Sequence, residues 1–209
     1  MVKKQQIRDL HQDDWMDPLY LNLLLTEEEK LIKKTANDYC NLKLLPRVIK
    51  DNKKCFFDKK IYLEFGSLGF LGSTISGYGA AKTSNVAYGL VAKEFESIDS
   101  SYRSAISVQS SLVIHPIYYF GSGEQKQNYL PELINGSLVG CFGLTESEAG
   151  SDPSSMKTNF IEVSDGYIIN GPQASRIKNF ISLYDWIDIV GCRDSDEEYE
   201  GNLGVIQKK

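Results

Sequence analysis

The spacing of apolar residues changes near residue 137, and this change most constrains what the chain can fold into. Before residue 137 apolar side chains recur at helical spacing, as in the run 87–98. After it, short apolar runs such as 160–163 and 167–169 are separated by turn residues, which is typical of strands. The sequence therefore predicts an α+β protein, with an all-α domain over residues 1–136 and a β domain over residues 137–209.

Capping and breaking residues predict the helix ends. Thr26 followed by Glu29 is a capping box, and helical spacing continues from it until Pro46, where we expect the helix to stop. Ser84 is expected to cap a further helix. Other helices are predicted over residues 58–65, over 103–119 with a kink or break near Pro116, and over 123–134.

The second part of the chain predicts short strands. The run from Leu138 to Leu144 is apolar, broken by two glycines and flanked by polar turn residues, and it predicts a buried strand. Residues 164–166, Ser-Asp-Gly, predict a hairpin connection between 160–163 and 167–169. Further strands are expected at 186–190 and 203–206.

Composition excludes several classes of function. A net charge of −5 argues against nucleic-acid binding, and no apolar run is long enough to span a bilayer. Two histidines leave few parts for a metal site or a catalytic triad, so we expect no metal. The cysteines are scattered without metal-binding spacing, which predicts reduced, mostly buried thiols of an intracellular protein: Cys40, Cys55, Cys141 and Cys192.

The segment 141–153, Cys-Phe-Gly-Leu-Thr-Glu-Ser-Glu-Ala-Gly-Ser-Asp-Pro, has the composition of a ligand-binding loop. Small residues allow a flat ligand to approach the backbone, and hydroxyls and amides can satisfy a heteroaromatic ring or a phosphate. Gly, Ser, Asp and Pro also occur in most ordinary loops. The local composition leaves both interpretations open.

Longer motifs reveal a family resemblance. They are Trp15–Leu19, the connector Gly77-Tyr78-Gly79, the run 97–112, His115–Tyr118, Tyr129–Leu133 and the run 141–155. In these motifs the chain resembles the acyl-CoA dehydrogenase family of flavoproteins, and within it the glutaryl-CoA dehydrogenases. The resemblance implies a helical domain, a β domain that is antiparallel and only partial here, and a second helical domain that is absent from this chain.

The resemblance implies which residues contact FAD. The segment of the family that meets the flavin corresponds here to Phe142, Gly143, Leu144, Thr145, Glu146, Ser147, Glu148, Ala149, Gly150 and Ser151. Glu146 and Glu148 could also be catalytic carboxylates, or loop charges that face solvent or cap amides. A second flavin strand of the family carries a tryptophan and a hydroxyl, where this chain has Arg176, Ile177 and Lys178 in a run one residue longer. We expect that departure to weaken or reshape flavin binding.

The resemblance also implies the substrate contacts. Arg103 and Ser104 match the pair that holds the distal carboxylate of glutaryl-CoA, and Ser151 lies along the acyl-CoA. An arginine can bind a carboxylate through two parallel hydrogen bonds. From the local sequence, Arg103 could equally pair with Asp99, one helical turn earlier.

A complete family member of this type oxidises and decarboxylates glutaryl-CoA to crotonyl-CoA in lysine and tryptophan catabolism. It acts as a homotetramer and passes electrons to an electron-transfer flavoprotein. Its glutamate base belongs to the C-terminal helical domain, and no glutamate here matches that motif. We therefore assign no catalytic residue in this chain and expect it to be inactive alone.

Two other functions stay open. The chain could be a non-catalytic remnant or partner subunit, or a dehydrogenase for another dicarboxylic acyl-CoA. The resemblance implies the mitochondrial matrix. Residues 1–17 have neither an apolar signal core nor an arginine-rich presequence, so the cytoplasm is the other expectation.

Overall fold

The computed structural model describes residues 17, 20–164, 166–171, 186–194 and 202–208. The α-helices in these ranges are α1 (Glu27–Tyr39), α2 (Leu45–Lys53), α3 (Ile61–Ser67), α4 (Asn85–Glu96), α5 (Ser100–Ser107), α6 (His115–Phe120) and α7 (Gly123–Asn135). The π-helices are π1 (Cys40–Leu44) and π2 (Val108–Ile114), and short 3-10 helices lie at Leu21–Leu23 and Pro153–Ser155. The strands are β1 (Val139–Gly143), β2 (Asn159–Val163), β3 (Gly166–Asn170), β4 (Trp186–Asp194) and β5 (Asn202–Lys208). The α+β class is confirmed.

The chain divides into two compact units. The first comprises Met1–Phe56 and Ser84–Ser100, and the second comprises Phe57–Thr83 and Ser101–Lys209. Helices give way to strands between Asn135 and Val139, where the sequence predicts the change. A domain boundary between residues 136 and 137 stays a prediction.

The helix starts of the first unit are those that the sequence predicts. Thr26 Oγ1 accepts a hydrogen bond of 3.2 Å from the Glu29 backbone N–H, and the Thr26 N–H donates to Glu29 Oε2 at 2.9 Å. Ser84 Oγ accepts from the Ala87 N–H at 3.0 Å. Both caps satisfy backbone donors that a helix leaves without an internal partner. The predicted starts of α1 and α4 are thus confirmed.

Two prolines lie inside longer helical segments: Pro46, where the sequence predicts a helix end, and Pro116, where it predicts a kink or break. Pro46 is in the first turn of α2, which follows π1 without a break, and Pro116 is in the first turn of α6, which follows π2. A proline lacks an N–H and clashes with the carbonyl four residues earlier, and a wider π-turn just before it relieves that clash. The prediction that the helix stops at Pro46 is therefore wrong, and a π-turn takes the place of the break expected near Pro116.

Apolar packing and close backbone contact hold the helices of the second unit together. A Cβ at Gly66 would lie 2.1 Å from the Asn135 carbonyl oxygen, and one at Gly136 would lie 2.0 Å from that of Tyr62. Gly136 also has a φ of 78°, so both its backbone conformation and the lack of space for a side chain require glycine there. The largest side chains with almost no exposure in this unit are Phe65, Ile61, Leu71, Ile106, Ile114, Ile117, Leu130 and Leu133.

The sheet is mixed, which corrects the expected antiparallel sheet. β2 pairs with β3 and β4 with β5 in antiparallel fashion, whereas β1 and β2 both run parallel to β4. The hairpin between β2 and β3 is confirmed, with Val163 opposite Gly166. The expectation of a buried first strand is wrong, since only Gly140 of β1 is buried. Within the described sheet β1 pairs only with β4.

Candidate functional site

The segment with the composition of a ligand-binding loop leaves the sheet and returns to it. β5 occupies one edge of β4 from Ile187 to Arg193, so β1 and β2 both lie on the opposite edge. Only Gly191 and Cys192 separate the two stretches of β4 that pair with β1 and β2. Residues 144–158, here called the site loop, therefore project from a gap of two residues in one sheet edge.

Glu146 closes the site loop at its base. Its side chain is only 5% exposed, and its two carboxylate oxygens accept hydrogen bonds of 2.8 Å from the backbone N–H groups of Lys157 and Thr158. The Glu146 N–H donates to the Ala149 carbonyl at 2.9 Å, which makes a tight turn. Burial raises the pKa of Glu146, but the hydrogen bonds from Thr158 and Lys157 outweigh it and hold the pKa below its ordinary value. Glu146 therefore caps amides, as one of the sequence interpretations expects, and the interpretation that it faces solvent is wrong.

Glu148 behaves differently from Glu146. It is exposed and forms an ion pair with Lys157 across the site loop. The hydrogen bond and the charge of Lys157 lower the pKa of Glu148. Asp152 accepts a hydrogen bond from the Ser154 N–H at 3.1 Å and begins the 3-10 helix Pro153–Ser155. Each acidic group of the loop thus has a hydrogen-bond partner within it: backbone amides for Glu146, the Ser154 amide and hydroxyl for Asp152, and Lys157 for Glu148.

The remaining loop residues present a neutral, open surface. Thr145, Ser147, Gly150 and Ser151 are exposed, whereas Ala149 is buried beneath them. A Cβ built at Gly150 would meet no atom within 4 Å. Phe142 and Gly143 end β1, and Leu144 begins the loop, all three with intermediate exposure. The structure thus brings Phe142 to Ser151, the residues predicted to contact a cofactor, into one continuous segment.

A buried glutamine connects this segment to the helices. Gln109, in π2, is 1% exposed, and its Nε2 donates hydrogen bonds of 2.9 Å to the carbonyls of Leu133 and Leu138. Its Oε1 accepts a bond of 2.9 Å from the Gly140 N–H in β1. A Cβ at Gly140 would lie 2.3 Å from Val113 Cγ1, so a glycine is needed for this close approach. Gln109 is not among the site residues predicted from the sequence. The pattern that could have indicated it is a polar residue at an inward-facing position of a helix.

Arg103 and Ser104 lie on α5, which leads into π2. Both have intermediate exposure, and Arg103 Nη1 donates a long hydrogen bond of 3.5 Å to Ser107 Oγ on its own helix. Asp99 accepts a bond of 2.9 Å from the Asn52 side chain. Arg176, Ile177 and Lys178, predicted to face the flavin, lie outside the described residues.

In the described part of the chain, no group of three or more His, Cys, Asp and Glu side chains could hold a metal ion. No helix in the same residues is long and apolar enough to cross a membrane. Of the three described thiols Cys40 is buried, Cys141 intermediate and Cys55 exposed, which corrects the expectation of mostly buried thiols. Burial, with the nearby Glu94 charge, raises the pKa of Cys40 to about 12.

Comparison with known proteins identifies the family. The family model of the acyl-CoA dehydrogenase N-terminal domain matches residues 26–137, more than half of the chain. The chain belongs to the acyl-CoA dehydrogenase family. The resemblance predicted from the motifs is confirmed, and with it the class of oxidoreductases to which the family belongs.

The relatives in this family include one named without a chain-length specificity and one named short-chain specific. The probable acyl-CoA dehydrogenase YngJ of Bacillus subtilis is 33% identical over 156 residues, which cover 72% of this chain and 40% of that protein. The mitochondrial short-chain specific acyl-CoA dehydrogenase of Rattus norvegicus is 29% identical over 170 residues, 80% of this chain and 41% of its own length. The chain thus spans about two fifths of the length of these curated relatives.

A solved acyl-CoA dehydrogenase shares the fold. The structure of a glutaryl-CoA dehydrogenase of Mycobacterium smegmatis in complex with FADH2 superposes with a TM-score of 0.79 at 35% identity. The match covers 90% of this chain and 47% of that one. FADH2 is the reduced form of the cofactor predicted from the sequence, so the prediction of FAD as the family's cofactor is confirmed.

Proposed function

We propose that β1 and the site loop form one wall of an FAD and acyl-CoA site in an acyl-CoA dehydrogenase. This proposal rests on the course of the chain, which leaves the edge of β4 after β1 and returns to the same edge at β2. The buried carboxylate of Glu146 is turned inward between these two points. The hydroxyls and the open glycine of the loop are left on the exposed side. Such an arrangement favours a large, flat, partly anionic ligand.

The residues present fit FAD. The carboxylates of the site loop are engaged within the loop itself: Glu146 and Asp152 accept hydrogen bonds from backbone N–H groups, and Glu148 pairs with Lys157. Gly150 faces open space, so a ligand can approach the backbone closely there. Neutral hydroxyls and amides are the groups with which proteins orient a flavin ring.

Each part of the segment has a proposed role. Phe142 to Thr145 would lie against the flavin ring, and Ser147 to Ser151 would lie along the FAD and the acyl-CoA. When bound, FAD accepts a hydride from the β-carbon of the acyl group. The chain's own residues would bind the cofactor, orient it and exclude water. Glu146 is a poor candidate for the proton-abstracting base, because its carboxylate is occupied by two amides and its pKa is lowered.

We propose glutaryl-CoA as the substrate, with Arg103 and Ser104 at its distal carboxylate. A guanidinium on a partly exposed helix is able to form a two-pronged bond to a carboxylate. A second candidate is a short-chain acyl-CoA without a distal carboxylate, and the rat relative is named short-chain specific. It is supported by the bond of Arg103 to Ser107, which gives the guanidinium a partner within its own helix. A dehydrogenase for another dicarboxylic acyl-CoA, or a non-catalytic partner subunit, fits the same geometry.

The complete protein would pass electrons to an electron-transfer flavoprotein and assemble as a homotetramer, as the family resemblance implies. Its compartment is a further proposal. The relatives include a mitochondrial protein and a bacterial one, and we propose the mitochondrial matrix where the source cell has mitochondria.

The cofactor proposal is tested by FAD titration of the purified chain, followed by quenching of flavin fluorescence. The variant Gly150→Leu places a side chain in open space, so it should leave stability unchanged and weaken FAD binding about tenfold, which is roughly 1.4 kcal/mol. Gly89→Leu is the matched control, since a Cβ there also meets nothing within 4 Å, but it lies on α4 of the first unit. Absence of FAD binding by the unaltered chain, or equal loss in both variants, contradicts the proposal.

The substrate proposal is tested by calorimetric binding of two thioesters that differ in one carboxylate. Arg103→Ala should weaken glutaryl-CoA binding about tenfold or more and leave butyryl-CoA binding nearly unchanged. Arg47→Ala is the control, because Arg47 is paired with Asp51 in the first unit at 2.6 Å. Equal loss for both ligands in Arg103→Ala would favour the second candidate.

A further inference from the structure

Gln109 contacts β1 in the way that a neighbouring strand would. In an extended strand, the N–H and C=O groups of residues 138 and 140 point to one edge, and those of residue 139 point to the other. A parallel neighbour bridges residue 139 by donating to the carbonyl of 138 and accepting from the N–H of 140. The Gln109 amide makes these two bonds, each of 2.9 Å, to Leu138 and Gly140.

We infer that Gln109 is a positioning residue that fixes the register of β1 and, through it, the residues that β1 presents to the flavin. This inference rests on the function proposed above. The opposite edge of β1 belongs to β4, where Val139 lies opposite Trp186. A slip of β1 by one residue would offer Gln109 the wrong backbone groups and would exchange the two faces of the strand. Phe142 to Thr145 follow directly, so their orientation depends on the same register.

The position of Gln109 in the chain links the two parts of the proposed site. Arg103 and Ser104 lie on α5, which continues into π2, where Gln109 is located. The third bond of the amide, to the Leu133 carbonyl at 2.9 Å, anchors it to the last turn of α7. Directional bonds to a buried amide thus join the substrate-side helix, α7 and the flavin-side strand.

The neighbouring residue supplies a matched control. Ser110 is 2% exposed, and its Oγ accepts a 3.0 Å hydrogen bond from the Gly72 N–H. Ser110→Ala and Gln109→Met each change a buried side chain of π2 that accepts a hydrogen bond from one backbone N–H, and Gln109→Met also removes two bonds to carbonyl groups. Only Gln109 reaches β1, so the two variants separate a positioning role from loss of stability.

The test combines amide hydrogen exchange with FAD titration. Gln109→Met should speed exchange of the Gly140 amide about tenfold or more and weaken FAD binding about tenfold. Ser110→Ala should speed exchange of the Gly72 amide alone and leave FAD affinity within about twofold. Gln109→Asn, which keeps a neutral amide on a side chain too short to reach β1, is the second variant if Gln109→Met does not fold, and it should likewise speed exchange of the Gly140 amide and weaken FAD binding.

The outcomes are distinguishable. Unchanged exchange in residues 139–145 of Gln109→Met overturns the inference, whatever happens to FAD. Faster exchange with unchanged FAD affinity also overturns it, because register would then not matter for the cofactor. If the unaltered chain binds no FAD, the proposed function fails, and the exchange data still decide whether Gln109 fixes β1.

Discussion

The helices of the second unit pack through apolar side chains, whereas β1 and the site loop are fixed by two polar ones. Phe65, Leu130 and Leu133 have no exposed surface, and the backbones of α3 and α7 meet at Gly66 and Gly136. At β1 and the site loop, the amide of Gln109 and the carboxylate of Glu146 together make five hydrogen bonds with backbone groups.

This difference has a physical meaning. Apolar contacts stabilise in proportion to the area removed from water but tolerate small shifts, since they have no direction. Hydrogen bonds from buried groups contribute less net stability, but they specify distances and angles. A strand and loop that must present particular atoms to a ligand therefore benefit from polar connections, whereas the helices that support them rely mainly on apolar packing.

The largest effect should come from the apolar region. Phe65→Ala removes a ring with 0% exposure and should lower the free energy of unfolding by about 3–5 kcal/mol. Leu63→Ala, on the same helix but 52% exposed, should cost far less. Urea unfolding measures both. Similar losses in the two variants would mean that α3 does not contribute to the core as described.

The polar region should respond with a smaller and more local loss. Glu146→Gln replaces one of two acceptors with a donor that faces a backbone N–H, so it should cost about 1–3 kcal/mol. Amide exchange should rise at Lys157 and Thr158 and stay unchanged in α3 and α7. A rise throughout the second unit would erase the distinction between the two regions.

Acid should weaken the polar region specifically. The pKa of Glu146 lies below the 4.5 of a free glutamate, so its contribution is complete above about pH 4.5 and is lost as pH falls through the lower folded value. The difference in unfolding free energy between the unaltered chain and Glu146→Gln should be constant at neutral pH and shrink below pH 4.5. A difference that grows on acidification would contradict this account of the carboxylate.

The smallest effect belongs to the exposed carboxylate of the same loop. Glu148→Gln removes an ion pair with Lys157 in which both side chains are mostly exposed, so unfolding at physiological salt should be unchanged within error. A cost equal to that of Glu146→Gln would show that the ion pair, and not the buried carboxylate, closes the loop.

Local sequence rules predicted the parts of the fold that depend on neighbouring residues. The caps at Thr26 and Ser84 and the β2–β3 hairpin each need only a few consecutive residues, and all three are confirmed. Pro46 misled the prediction because it lies in the first turn of α2, directly after a π-turn that accommodates the ring.

The site was predicted as a segment but not as a structure. The residue order placed Phe142 to Ser151 in a binding loop by resemblance, and the structure gives them one continuous course. The inward turn of Glu146 and the bonds of Gln109 depend on partners 11 to 31 positions away in the chain, and no local pattern encodes them. The parallel pairing of β1 and β2 with β4 was missed for the same reason.

The most direct test of the central claim is amide hydrogen exchange of the chain with and without saturating FAD. We expect FAD to increase protection in residues 142–151 and to leave the exchange of the amides of α1 and α4 in the first unit unchanged. Binding of FAD without added protection in residues 142–151 would contradict the claim that this segment is a wall of the flavin site.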